Sequence, residues 1–134
     1  MGLDMWIEDD EGNELMDWRK ANQIHRWIID NSEETLEEER TTIISMGKLK
    51  ELLEIINDII HLTPKEKMCI RLQNGLDFNV EKAKRFLPTC SGFFYGGTEY
   101  DKWYLEQLIE TKEFLEKVIN NDNLDKKFRY IASW

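Results

Sequence analysis

The sequence predicts an α+β fold: a small antiparallel sheet of about three strands packed against three main helices. Three observations carry this. Leu3, Met5 and Ile7 near the start, and Phe128, Tyr130 and Ala132 near the end, alternate with other residues at the two-residue period of a half-buried strand. Thr41-Thr-Ile-Ile-Ser45 adds a β-branched run suited to a third strand. Between these, apolar residues recur at helical spacing in stretches beginning near residues 14, 46 and 99. A chain of 134 residues supports one core, so it is read as a single domain, 1–134.

Taken in order, Leu3 to Glu8 is the first strand and ends in the acidic run Glu8-Asp-Asp-Glu11 followed by Gly12. Asn13 is placed to cap a helix reaching Asp30. At about 100° per residue its apolar arc holds Leu15, Trp18, Ala21, Ile24, Ile28 and Ile29. His25 falls near the centre of that arc and Asn22 at one margin. Burying either without a partner costs on the order of 1–3 kcal/mol, so each is paired internally or faces a cavity.

Residues 31–40 are acidic and poor in apolar side chains, which predicts an exposed loop or short helix. Ser45 can cap a helix in which Leu49, Leu52, Leu53, Ile56, Ile59 and Ile60 form one face. Thr63-Pro64-Lys-Glu66 combines a cap, a proline suited to the first helical turn and the glutamate of a capping box. This opens a further short helix to about Leu72. A turn is expected at Gln73-Asn-Gly75, and a short helix capped by Asn79 stops at Pro88.

In Thr89-Cys-Ser-Gly-Phe-Phe-Tyr-Gly-Gly97, glycines enclose three consecutive aromatics. The last helix is expected from Glu99 to about Asn120, capped by Thr98, with Asp101 in its first turn. Its wide buried arc takes in Tyr100, Trp103, Tyr104, Leu108, Thr111, Phe114, Leu115, Val118 and Ile119. The strand at 128–134 is expected to be tied into the core through Trp134.

Charge narrows the function classes. The net charge is −9, and residues 1–40 hold thirteen acidic against four basic residues, whereas the remainder holds fourteen of each. This argues against direct nucleic-acid binding and leaves open a basic protein surface as partner, beside the plainer reading of a solvated face that only keeps the protein soluble. The first ten residues lack the basic and apolar regions of a signal peptide, and no segment approaches the ~20 apolar residues of a membrane span, which predicts an intracellular protein. Two cysteines, Cys69 and Cys90, and two histidines, His25 and His61, form no metal signature, so reduced thiols and no metal or cofactor are expected.

Two constellations are candidate ligand sites. Arg19, Asn22, His25 and Arg26 share adjoining parts of one predicted helix surface, and such donors can hold a phosphate or carboxylate. In the competing reading they form a brace, with Asn22 bonded to loop backbone and the arginines paired with Asp17 or Asp30. The glycine-aromatic segment and its helix supply Tyr95, Tyr100, Asp101 and Trp103. These would stack or anchor an organic group, fill the core, or dock a protein; the glycine spacing matches no phosphate-binding motif. Catalysis is poorly supported. Asp101 suits a helix start, Ser45-x-x-Lys48 lacks its companion motifs, and Cys90 has no assigned base.

Met1-Gly-Leu-Asp-Met5, Trp18-Arg-Lys-Ala-Asn22 with Ile24-His25 and Trp27, Ser91-Gly-Phe-Phe-Tyr-Gly96, Tyr100-Asp101 with Tyr104-Leu105, and Ser133-Trp134 occur in this order along nearly the whole chain. In this the chain resembles a family of small uncharacterised bacteriophage and prophage proteins. The resemblance implies expression in the cytoplasm of a bacterial host. It marks Trp18, Arg19, Asn22, His25, Gly92, Tyr100, Asp101 and Trp134 as recurrent, and carries over no activity. The helical segment from Pro64 to Arg85 departs from it by insertion. The function expected is a non-enzymatic interaction protein that binds a host or phage protein, inhibiting or modulating a defence component. The alternative is a module for a small anionic ligand or nucleotide, and self-association is a third reading.

Overall fold

The computed structural model describes residues 3–32, 34–36, 41–74, 78–91, 97–119 and 122–133, with 34–36 and 70–74 as backbone. Its α+β architecture is larger than three strands and three helices. Strands β1 (Asp4–Glu8), β2 (Glu14–Arg19), β3 (Glu34–Leu36), β4 (Thr41–Ser45) and β5 (Lys127–Ser133) form one sheet in the order β2-β1-β5-β4-β3. Every neighbouring pair is antiparallel, and β3 is a three-residue edge strand beside four longer ones. The helices are α1 (Asn22–Asn31), α2 (Met46–Ile60), α3 (Pro64–Asn74), α4 (Val80–Phe86) and α5 (Lys102–Val118).

The pleat divides the sheet into a buried and a solvated face. Met5 lies between Trp18 and Ala132, and Ile7 between Met16 and Tyr130, all on the buried side. Phe128 and Tyr130 continue the row to Ile44 and Thr42. The opposite side carries Asp4, Asp17 and Arg129, with Glu8 and Arg129 paired at 2.8 Å. Helix α2 contributes Leu49, Leu52, Ile56 and Ile59, all fully buried, each stabilising by about 1.5–3 kcal/mol relative to exposure.

Residues 14–19 are a strand, where helical spacing predicts the first helix. Met16 and Trp18, two apart, must both face the core opposite Ile7 and Met5, and this pairing overrides the three-residue spacing of Leu15, Trp18 and Ala21. The acidic run and Gly12 form the intervening hairpin. Gly12 supplies φ of 83°, and the Asp9 Oδ1 accepts from the backbone N–H groups of Glu11 and Asn13 at 2.9 and 2.8 Å. Asn13 is therefore part of a turn, and α1 starts nine residues later, after a corner at Lys20 (φ 58°). The acidic segment expected to be a loop or short helix pairs its residues 34–36 with β4.

The Asn13 backbone amide, the Asn13 side-chain amide and the Glu11 amide hold the Asp9 carboxyl below its ordinary 3.8. A carboxylate favoured in the folded hairpin contributes stability that is present at neutral pH and lost as pH falls through the folded-state value. Replacing Asp9 by Asn is expected to flatten this acid-side loss. Melting curves recorded from neutral pH downward will show it, and parallel pH profiles for the two proteins would exclude the effect.

Other local signals hold. Ser45 caps α2 through the Lys48 N–H at 3.3 Å, and Asn79 caps α4 through the Lys82 N–H at 3.1 Å. Thr63 and Glu66 bond reciprocally at 2.8 and 3.2 Å. Helix α3 continues through Gln73 and Asn74, past the expected turn, while Gly75 lies outside the described residues. Helix α5 starts at Lys102 because Asp101, the stronger cap, accepts from the Trp103 and Tyr104 N–H groups at 3.1 and 3.2 Å; Thr98 is not its cap. Its buried row is Tyr104, Leu108, Thr111 and Leu115, which leaves Trp103 outside the expected arc and 71% exposed. β5 buries Phe128, Tyr130 and Ala132 as the alternation predicts, and Trp134 lies outside the described residues.

Candidate functional site

Asn22 and His25 are buried as their neighbours require, and both are engaged within the fold. The Asn22 Nδ2 donates to the Gly97 carbonyl at 2.8 Å, and its Oδ1 accepts from the Cys90 N–H at 2.9 Å. One carboxamide thus clasps both ends of the stretch between residues 90 and 97. The His25 Nδ1 shares a hydrogen bond with the Tyr130 hydroxyl at 2.7 Å, fixing α1 to the central strand. Of the two readings of this helix, the brace describes these residues. Arg26 pairs with Asp30 at 3.4 Å as the brace expects, whereas Arg19, carried by β2, pairs with Asp4 at 3.5 Å across the strands and not with Asp17. The four residues therefore do not share a helix surface.

Tyr100 and Tyr104 are held in the same way. The Tyr104 hydroxyl donates to the Leu87 carbonyl at 2.7 Å, and burial pushes its phenol far above the usual range, so it stays neutral. The Tyr100 hydroxyl accepts from the Thr89 N–H at 3.1 Å, and its ring lies 5.1 Å from that of Tyr104. Thr89 in turn donates to the Thr98 carbonyl at 2.9 Å. These contacts fix the run of chain that leads into α5.

Between that run and the β2–α1 corner lies a cleft of about 780 Å³. Arg19, Lys20 and Gln23 form one wall, and Thr98, Glu99 and Asp101 the other; Trp103 and Gln107 of α5 complete it. The walls are tied together by the Gln23 Nε2 donating to the Gln107 Oε1 at 2.8 Å. Beneath, the Trp18 Nε1 donates to the Thr111 Oγ1, which donates to the Gln107 carbonyl, each at 2.7 Å. A rigid polar seam thus supports an open cleft. Arg19 and Asp4 are both more than half exposed, so their pair contributes at most about 1 kcal/mol and leaves the guanidinium available. Among the described residues Lys20 and Glu99 make no ion pair.

Of the residues expected to form a site, Arg19, Asp101 and Trp103 line the cleft. Asn22, His25, Arg26 and Tyr100 do not, and Tyr95 lies outside the described residues. Sequence reasoning missed Lys20, Gln23, Glu99 and Gln107. Lys20 adjoins Arg19 and shares its charge, whereas no spacing joins Gln23 to Gln107. No group of three or more metal-ligating side chains occurs among the described residues, and no helix there is long and apolar enough to cross a membrane. Cys69 and Cys90 are free. No protein-family model, curated protein or solved structure matches the chain.

Proposed function

We propose that this is a small phage- or prophage-encoded interaction protein, without catalytic activity, that binds a host or phage protein through the cleft beside Trp103. One observation carries the reading: Trp103 is 71% exposed at the mouth of a cleft with a braced floor. Covering a large aromatic removes up to about 150–250 Å² from water. At about 25 cal/mol per Å² the gross gain is several kcal/mol, of which association and ordering costs leave only a part as affinity, and tryptophan is enriched among residues that dominate interfaces. Among the described residues the cleft lining holds no histidine or cysteine, and its Tyr104 is held neutral by burial. A defence component as the target, and the phage origin, rest on the sequence resemblance.

Trp103→Ala is expected to change folding stability by less than about 0.5 kcal/mol, because the indole is mainly solvated. It is expected to weaken partner binding by on the order of 2 kcal/mol or more. Immobilised wild-type and variant protein, exposed to lysate of infected or lysogenic cells, provide the comparison. A stoichiometric partner retained by wild type and lost by the equally stable variant supports the reading. Equal recovery by both, or none by either, overturns it.

The cleft volume also falls within the range of about 300–1,000 Å³ usual for small-molecule sites, with Arg19 and Lys20 as cations for an anionic ligand. Thermal-shift titration with nucleotides tests this second reading. Glu99 and Asp101 on the facing wall oppose an anion, which places it second.

A further inference from the structure

The outer surface of α5 extends the cleft. Trp103, Glu106, Glu110 and Glu113 follow one another at intervals of three and four residues, opposite the buried row of Tyr104, Leu108, Thr111 and Leu115. They form a continuous stripe with the aromatic at its head. Lys102 approaches Glu106 at 3.8 Å, and Lys117 stands beyond Glu113 at the far end. Among the described residues Glu110 and Glu113 have no cationic partner. At the head of the stripe Glu99 is likewise unpaired, and Asp101 uses Oδ1 alone for both capping bonds.

A face on which an exposed indole leads into carboxylates, of which Glu110 and Glu113 have no cationic partner among the described residues, complements a chain of cations. A guanidinium stacks on the indole face while its neighbours meet the glutamates. We infer that the partner docks a short arginine-rich segment along this face, its first guanidinium on Trp103 and its following residues over Glu106, Glu110 and Glu113. The inference rests on the cleft reading and gives it a chemistry. Trp103 to Glu113 spans about 15 Å at 1.5 Å per residue, the length of an extended segment of about five residues. Arg19 and Lys20 on the far wall repel such a segment, so its basic stretch lies on the α5 side of Trp103.

Fluorescence polarisation of fluorescein-labelled octa-arginine, titrated with the full chain at physiological ionic strength, tests this. Saturable one-to-one binding is expected, weakened at least tenfold by Trp103→Ala and several-fold by Glu110→Gln with Glu113→Gln. The double variant should also show a shallower salt dependence. Glu11→Gln with Glu14→Gln, an equal charge change on the β1–β2 hairpin and edge strand, should bind like wild type. Equal weakening by the two double variants shows diffuse attraction and overturns the inference, as does unchanged binding by Trp103→Ala. If the peptide fails in this way while the lysate partner still depends on Trp103, the basic segment is wrong and the cleft stands. If that dependence is absent too, both fall.

Discussion

Replacing Trp18 by alanine is expected to lower the unfolding free energy by about 3–5 kcal/mol. The indole is 6% exposed, meets Phe114 edge-on at 6.3 Å between ring centres, and lies opposite Met5 in the sheet. Its removal opens a cavity between β2 and α5 and takes away the donor that the Thr111 hydroxyl accepts. Against a total stability of about 5–15 kcal/mol, this is a large fraction. Trp18→Phe should cost less, since it keeps an aromatic edge for Phe114 and loses chiefly the hydrogen bond. Denaturant unfolding of wild type, both Trp18 variants and Trp103→Ala checks the order. A Trp18→Ala loss no larger than that of Trp103→Ala would contradict the assignment of one indole to the core and the other to the surface.

Asn22→Ala is expected to cost about 2–4 kcal/mol, because it leaves two polar backbone groups, the Cys90 N–H and the Gly97 carbonyl, without the carboxamide that joins them. A second effect separates this from simple loss of packing. With the clasp open, the half-buried Cys90 should react faster with a disulfide reagent, read in a Cys69→Ser background that removes the exposed thiol. Asn22→Asp should destabilise at least as much, since a carboxylate places an acceptor against the Gly97 carbonyl and buries charge. Unchanged thiol reactivity together with an unmoved unfolding midpoint would show that the clasp holds nothing.

Much of the fold is legible where the deciding interactions are local. Ser45, Asn79 and the Thr63–Glu66 pair announce helix starts because the cap and the amides it serves lie within three residues. The alternation of Phe128, Tyr130 and Ala132 is visible because a single strand contains it. β2 is misread for the opposite reason. Leu15, Trp18 and Ala21 fit a helical wheel, Met16 and Trp18 fit a strand, and only pairing with Ile7 and Met5 decides between them. Sequence alone sends Trp103 to the core because a helix begun at Glu99 has so broad an apolar arc that its centre is ambiguous; the Asp101 cap and the Thr111 contact with Trp18 fix that centre.

The candidate site shows the same division. The need for Asn22 and His25 to be paired followed from their apolar neighbours, yet their partners, Gly97, Cys90 and Tyr130, lie far along the chain. The cleft joins Arg19 and Lys20 to Glu99, Asp101 and Gln107, and nothing periodic connects those positions. Arg19 and Asn22 diverge for a local reason that residue type does not announce: the corner at Lys20, a non-glycine residue at positive φ, turns the chain from sheet to helix between them.

The place of β5 bears on how the molecule is made. It lies between β1 and β4, so within the sheet the β1–β2 hairpin and the β3–β4 pair are joined through residues 127–133. During synthesis both halves emerge well before the strand that unites them, and β1 must wait for a partner about 120 residues downstream. Such long-range closure slows folding and leaves sheet edges open in the meantime. The nascent chain therefore holds two unfinished half-sheets until β5 leaves the ribosome, and only then can the sheet close.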